Sequence, residues 1–137
     1  MEKTAVIIGG SKSDSEFIAK ITSALENLSV EYKTYYASAH KEPLEVLNIL
    51  KSFESKKHIV YITVAGRSNA LSAFVAANSC FPTIACPPFS DKLDMLVNIH
   101  SSLQMPSNVP VMTILEPANA ALATKRIFDL IDNGVKK

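Results

Sequence analysis

The chain has 137 residues, 47% of them apolar, which is the size of one ordinary domain and enough hydrophobic side chain to fill its core. Lys and Arg total 14 against 13 Asp and Glu, a formal charge of +1 with no block of like charges, which argues against a nucleic-acid face or a charged tail. Two cysteines, Cys80 and Cys86, are too few for a disulfide framework or a zinc site, and no basic leader or long apolar span occurs, so a cytoplasmic protein without membrane contact is expected.

The first strand is read at Thr4 to Ile8, where Val6, Ile7 and Ile8 form a run suited to burial on both faces. A helix follows in which Phe17, Ile21, Leu25 and Leu28 recur at helical spacing, and Ser13 with Glu16 reads as a capping box at its start. Tyr32 to Tyr36 is the second strand. Pro43 to Phe53 is the second helix, with Leu44, Val46, Leu47 and Leu50 on its inner side and Pro43 in its first turn.

Ile59 to Val64 is the third strand, and Ala70 to Asn78 the third helix. The stretch Ala70 to Phe81 carries no charge, so it is either a deeply covered central helix or a contact between subunits. Thr83 to Cys86 is a short fourth strand ended by Pro87 and Pro88. Asp91 to Leu103 is a fourth helix, Val111 to Leu115 a fifth strand, and Pro117 to about Ile131 the last helix, with Asn133 to Lys137 expected to fray.

Five strands alternating with helices predict a three-layer αβα sandwich around a parallel five-stranded, flavodoxin-like sheet, in a single domain over 1–137. Ligands of such sheets bind beyond the carboxyl ends of the strands, where strand order reverses. Three polar loops belong at that end: Gly9 to Asp14, Ser38 to Pro43, and Gly66 to Asn69.

In the first, Gly9 and Gly10 permit a tight turn, while Ser11, Ser13 and the helix start can hold an anion such as phosphate, and Asp14 suits ribose hydroxyls. Neither GxGxxG nor GxxxxGK occurs, and capping of the helix is the competing role of these residues. The second loop carries Ser38, Ala39, His40 and Lys41: an imidazole, which titrates near neutral pH and can move a proton, beside a cation that can hold phosphate. In the third, Arg67 offers paired donors to a carboxylate or forms a surface ion pair. Ser68 is expected chiefly to cap the next helix, and Asn69 to cap it or to bond a heterocycle.

Elsewhere, His58 lies at the opposite sheet edge and His100 on an amphipathic helix, and the histidines lack metal-ligand spacing. Cys86 is expected to be buried packing and Glu116 a helix-start residue, although its place after the fifth strand would allow ligand contact.

Taken together, GGSKSD at 9–14, SAHKEP at 38–43, VAGRSNAL at 64–71, CPP at 86–88 and SSLQMP at 101–106 resemble the PurE family of purine biosynthesis, in order and over nearly the whole chain. The third loop lacks the glycine-rich stretch and histidine of the class I mutases and is similar to class II, the carboxylases that add carbon dioxide directly to 5-aminoimidazole ribonucleotide (AIR). The resemblance implies phosphate binding by Ser13, Ser38 and Lys41, with Ser11 and Asp14 near the ribose and His40 as the proton-transfer group. Arg67, Ser68 and Asn69 would line the ring and carboxylate end, with Ala39 and Gly66 also at the substrate. Lys41 stands where class I enzymes usually have arginine, which keeps the charge but not the planar fork.

It further implies AIR and carbon dioxide as substrates, no cofactor and no metal, and a homo-oligomer, tetramer or octamer. The alternatives are the class I mutase activity on the N5-carboxy nucleotide, and a flavodoxin-like binding module with no chemistry.

Overall fold

The computed structural model describes residues 2–133. The strands β1 (Thr4–Gly9), β2 (Tyr32–Tyr36), β3 (Ile59–Val64), β4 (Thr83–Ala85) and β5 (Met112–Thr113) form one sheet in the order β2-β1-β3-β4-β5, every neighbouring pair parallel. This is the expected flavodoxin-like arrangement. The helices are α1 (Ser15–Asn27), α2 (Pro43–Phe53), α3 (Ala70–Ala77), α4 (Lys92–Asn98), α5 (His100–Leu103) and α6 (Pro117–Asn133).

Alternation along the central strands divides the core in two. Ala5 and Ile7 of β1, with Val60, Ile62 and Val64 of β3, meet Ile18, Ile21 and Leu25 of α1 and Ala120, Ala121 and Phe128 of α6. On the other face Val6, Ile8 and Tyr61 meet Val46, Ile49, Leu50 and Phe53 of α2 and Leu71 and Val75 of α3. Both central strands are buried along their whole length, which is why they read as continuous apolar runs.

Several boundaries differ from expectation for local reasons. The capping box does not form: Ser11 caps a 3-10 turn over Lys12–Asp14, so Ser13 lies inside that turn and α1 starts at Ser15. Leu44 points outward at 74% exposure, and Ile49 takes the inner position instead. The helix expected over Asp91 to Leu103 is two, because Asn98 Nδ2 donates to the Asp94 carbonyl and Ser101 Oγ to the Asn98 carbonyl, side chains competing for the carbonyls of the helical ladder. Asp91 is the cap of α4, its carboxylate accepting from the Asp94 amide.

β4 stops at Ala85, although the Cys86 amide still reaches the Thr63 carbonyl. Only Met112–Thr113 of the fifth run joins the short β4, while the last helix continues to Asn133. The expected fraying beyond Asn133 falls outside the described residues. α3 ends at Ala77; Leu71, Ser72, Val75 and Ala76 are buried within the chain, whereas Ala73 and Phe74 are only half-covered. Among the described residues no helix is long and apolar enough to cross a membrane.

Candidate active site

The order of the sheet reverses at β1 and β3, and the loops after β1, β2, β3 and β4 surround one cavity of about 980 Å³ at the carboxyl ends of the strands. The first two loops are sewn to the sheet by backbone bonds, Gly10 N to the Val64 carbonyl at 3.0 Å and Ala37 N to the Gly9 carbonyl at 2.9 Å. Ser11, Ser13, Asp14, Ser38, Ala39, His40, Lys41, Gly66, Arg67 and Ser68 all line this cavity. Three loops far apart in sequence thus meet in one place.

On the first wall the hydroxyls of Ser11 and Ser13 lie 2.9 Å apart, and Ser11 Oγ also accepts from the Ser13 amide at 3.2 Å. Asp14 holds the cap position of α1 but makes no capping bond with its side chain, which leaves the carboxylate for the cavity. Partial burial pushes the Asp14 carboxyl above its ordinary value.

The second loop closes on itself. Ser38 Oγ accepts from the Lys41 amide at 3.2 Å, the Glu42 amide donates to the Ser38 carbonyl at 2.7 Å, and the Ser38 amide donates toward Glu42 Oε1 at 3.4 Å. The Ser38 hydroxyl hydrogen remains available to a ligand. His40 sits exposed at the tip of this closed turn, with Ala39 packed against the core behind it. Among the described residues, neither Lys41 nor Arg67 is engaged in an ion pair.

In the third loop, Ser68 is not the cap of α3; Asn69 is, with Oδ1 accepting from the Ser72 amide at 3.1 Å. Ser68 instead adopts the left-handed region at φ 42°, which places Asn69 at the helix start. Asn69 is buried, does not line the cavity, and spends its side-chain amide on Ser102 Oγ at 2.9 Å. It is the one expected substrate contact that the fold holds back from the cavity.

Sequence reasoning passed over part of the wall. Phe17 and Lys20 line the cavity from α1, three residues apart and so on one face of the helix that follows the first loop. Pro88, Phe89, Ser90 and Asp94 line it from beyond β4, a strand whose place beside β3 makes its carboxyl-end loop a neighbour of the site. The Ser90 amide, 2.9 Å from Asp94 Oδ2, holds the Asp94 carboxyl below its ordinary value, with Asn98 and the charge of Arg67 adding to the effect.

The remaining candidates lie elsewhere. Cys86 is fully buried, and burial with the nearby Glu116 carboxylate pushes its thiol up to about 12. Glu116 opens α6 by accepting the Ala120 amide on its carbonyl and does not line the cavity. His58 precedes β3 at the far end of the sheet, its carbonyl accepting from Thr4, and His100 opens α5; neither lines the cavity. Chemically, the site combines an accessible imidazole, hydroxyls and a lysine suited to phosphate, a carboxylate suited to hydroxyls, and an arginine suited to a carboxylate.

A model of the AIR carboxylase family matches residues 4–137. The phosphoribosylaminoimidazole carboxylase of Archaeoglobus fulgidus is 52% identical over 133 residues, covering 97% of this chain and 73% of that protein. That of Treponema denticola is 44% identical over 136 residues, covering 98% of this chain and 85% of that protein. A crystal structure of Treponema denticola PurE superposes with a TM-score of 0.87 at 45% identity, covering 93% of this chain and 81% of that one.

Proposed function

The chain belongs to the AIR carboxylase family, and on that premise we propose that its cavity binds AIR with the phosphate toward Ser13, Ser38 and Lys41 and the ring beneath His40. The reaction is the carboxylation of AIR at C4 to 4-carboxy-5-aminoimidazole ribonucleotide, a step of purine biosynthesis. The observation that carries the site assignment is the meeting of His40, the Ser13 and Ser38 hydroxyls, Lys41 and Arg67 around a single cavity.

The residue types suit each part of the nucleotide. Lys41 supplies a point charge and the two serines supply hydroxyl donors for the phosphate oxygens. Ser11 and Asp14 take the ribose, and Ala39 and Gly66 shape the wall against the ring. Arg67 and Ser68 receive the carboxylate.

The exocyclic amine makes C4 of AIR enamine-like, so its electron pair forms the new C–C bond to carbon dioxide while one C–O π pair becomes the carboxylate charge. The adduct still carries hydrogen at C4. His40 takes that proton, the C–H pair returns to the ring, and aromaticity is restored; in the reverse direction the imidazolium returns the proton before decarboxylation. Arg67 balances the carboxylate charge as it forms.

Direct use of carbon dioxide, in place of the N5-carboxy nucleotide, fits the Arg67–Ser68 loop at the carboxylate end. The chain acts as a single domain. A homo-oligomer, tetramer or octamer, accords with the outward row of Leu93, Leu96 and Val97 on α4, each at least 62% exposed. The free thiols Cys80 and Cys86 and a nucleotide substrate accord with the cytoplasm.

The test is product formation without ATP, comparing AIR plus carbon dioxide with the N5-carboxy nucleotide. Faster turnover of AIR plus carbon dioxide is expected. Preferential turnover of the N5-carboxy compound, beyond its spontaneous breakdown, would make the protein a mutase.

A further inference from the structure

Asn69 stands next to the cavity-lining Arg67 and Ser68, yet it is only 3% exposed, and its side-chain oxygen and nitrogen are both hydrogen-bonded inside the protein. Its backbone amide donates to Ser101 Oγ at 2.9 Å, beside the side-chain bond to Ser102, so the loop after β3 is pinned to α5 by two adjacent serines. The bonds continue from there. Ser101 Oγ donates to the Asn98 carbonyl at 3.0 Å, and Asn98 Nδ2 donates to Asp94 Oδ1 at 2.7 Å. Asp94 Oδ2 accepts from the amide and hydroxyl of Ser90 at 2.9 and 3.2 Å.

The two ends of this chain of bonds are both at the cavity: Arg67 and Ser68 on one side, Ser90 and Asp94 on the other. The α4–α5 segment is therefore a strut between two loops that share the site. It is anchored to the sheet as well, since Thr113 Oγ1 donates to the Ser102 carbonyl at 3.2 Å. A second observation points the same way. Ser68 is held in a backbone region that a serine rarely adopts, and such a conformation persists only where its surroundings fix it. Asn69 and the Ala70 amide, which donates to the Ser68 carbonyl at 2.7 Å, are those surroundings.

We infer that Asn69 is a positioning residue: through Ser101 and Ser102 it fixes the loop 66–69 on the α4–α5 strut and so sets where Arg67 and Ser68 meet the reacting carboxylate. The inference deepens the functional reading above and rests on it for the reaction affected. Asn69 acts at the carboxylate end, while the phosphate anchors Ser13, Ser38 and Lys41 lie on other loops. Its loss should weigh on the chemical step more than on nucleotide binding.

Asn69→Ala is expected to lower kcat about ten- to a hundredfold, the scale set by small misplacements of reacting groups, while the KM for AIR stays within roughly threefold. Asn69→Asp should recover most of the lost kcat. Its carboxylate can still accept the Ser72 amide, aspartate is as good a helix cap as asparagine, and the Ser102 hydroxyl can turn to donate instead of accept. Ser102→Ala removes only one of the contacts and should cost less than Asn69→Ala.

Thermal melts report the folded fraction of each variant, and amide hydrogen exchange reads the strut without reference to turnover. Asn69→Ala should speed exchange both at 66–69 and at 88–91 and leave 38–42 unchanged. The inference is overturned by a folded Asn69→Ala with unaltered kcat, by a loss that merely follows the folded fraction, by an equal loss in a folded Asn69→Asp, or by exchange changes confined to 69–72. A wild-type protein that fails to carboxylate AIR would instead sink the functional reading, and the exchange pattern would still decide whether Asn69 holds the two loops.

Discussion

A side-chain carbon built on Gly66 would lie 2.4 Å from the carbonyl oxygen of Pro88, so the loops after β3 and β4 touch backbone to backbone where both line the cavity. Neither partner is the flexible end of a side chain. Gly66→Ala must push one loop aside, and a displacement on the order of 1 Å at a reacting site costs about a hundredfold in rate. We expect kcat/KM for AIR to fall by that order, with a lowered melting temperature. Gly9→Ala should be gentler at the site, because the added carbon meets the Ile18 and Tyr36 side chains, which can repack. Wild-type kinetics in Gly66→Ala would show that the contact does not set the geometry of the cavity.

His40 is exposed at the tip of a turn closed by the Ser38, Lys41 and Glu42 bonds, and it carries no packing role that its removal would disturb. His40→Asn should therefore leave the melting temperature and AIR affinity close to those of the native protein. Turnover should drop by about 10² to 10⁴-fold, the usual contribution of a positioned proton-transfer group. Calorimetric binding of AIR alongside steady-state rates separates the two effects. A variant that binds AIR and turns it over at the native rate would remove His40 from the mechanism.

Those two positions also mark how far the sequence could be read. The central strands and α2 were visible because their signals are local: β-branched runs buried on both faces, and a proline that opens a helix. His40, Ser13 and Arg67 are legible as cavity residues because each lies in a loop that follows a strand, at the end where a parallel sheet binds ligands. What escaped depends on partners distant in sequence. Nothing near Asn69 announces that Ser72, Ser101 and Ser102 take its hydrogen-bonding groups, so its sequence leaves capping and ring contact equally open, and the structure shows the cap. The break between α4 and α5 is likewise made by the side chains of Asn98 and Ser101 reaching back to carbonyls, which an apolar periodicity does not register. Leu44 shows a different limit: it is apolar like its core neighbours but lies in the first turn of α2 with its side chain exposed, which its apolar character alone does not reveal.

The two thiols should react very differently. Cys80 is exposed, whereas Cys86 is fully buried against the Leu115 carbonyl and its thiol is pushed up to about 12 by burial and by Glu116. At pH 8 almost none of Cys86 is thiolate, the species that attacks a disulfide reagent. Ellman's reagent should titrate Cys80 rapidly in the native protein and reach Cys86 only after denaturant is added. Equal native reactivity of both would contradict the burial of β4's end.

If Asp14 contacts the ribose as proposed, it trades stability for binding, and pH separates the two. Burial raises its carboxyl above the ordinary value of 3.8, so the folded protein holds that proton more tightly than the unfolded chain does. Between the two values the folded state binds more protons, and by linkage stability falls as pH rises through the folded value. The stabilising contribution is complete below the unfolded value and lost above the folded one. At pH 7 the ionised, partly desolvated carboxylate is thus a liability to the fold. An asparagine in its place has no charge to desolvate, and because the Asp14 side chain makes no capping bond there is none to lose, so α1 should start unchanged. We expect Asp14→Asn to melt at a higher temperature than the native protein at pH 7, with the difference shrinking as pH is lowered through the carboxylate range. The same variant should bind AIR more weakly, because an amide is a poorer acceptor for ribose hydroxyls than a carboxylate. Melting curves from pH 3 to pH 8 test the first half and calorimetry with AIR the second. A stability difference that grows toward low pH would reverse the sign of the argument, and undiminished affinity would take Asp14 away from the ribose.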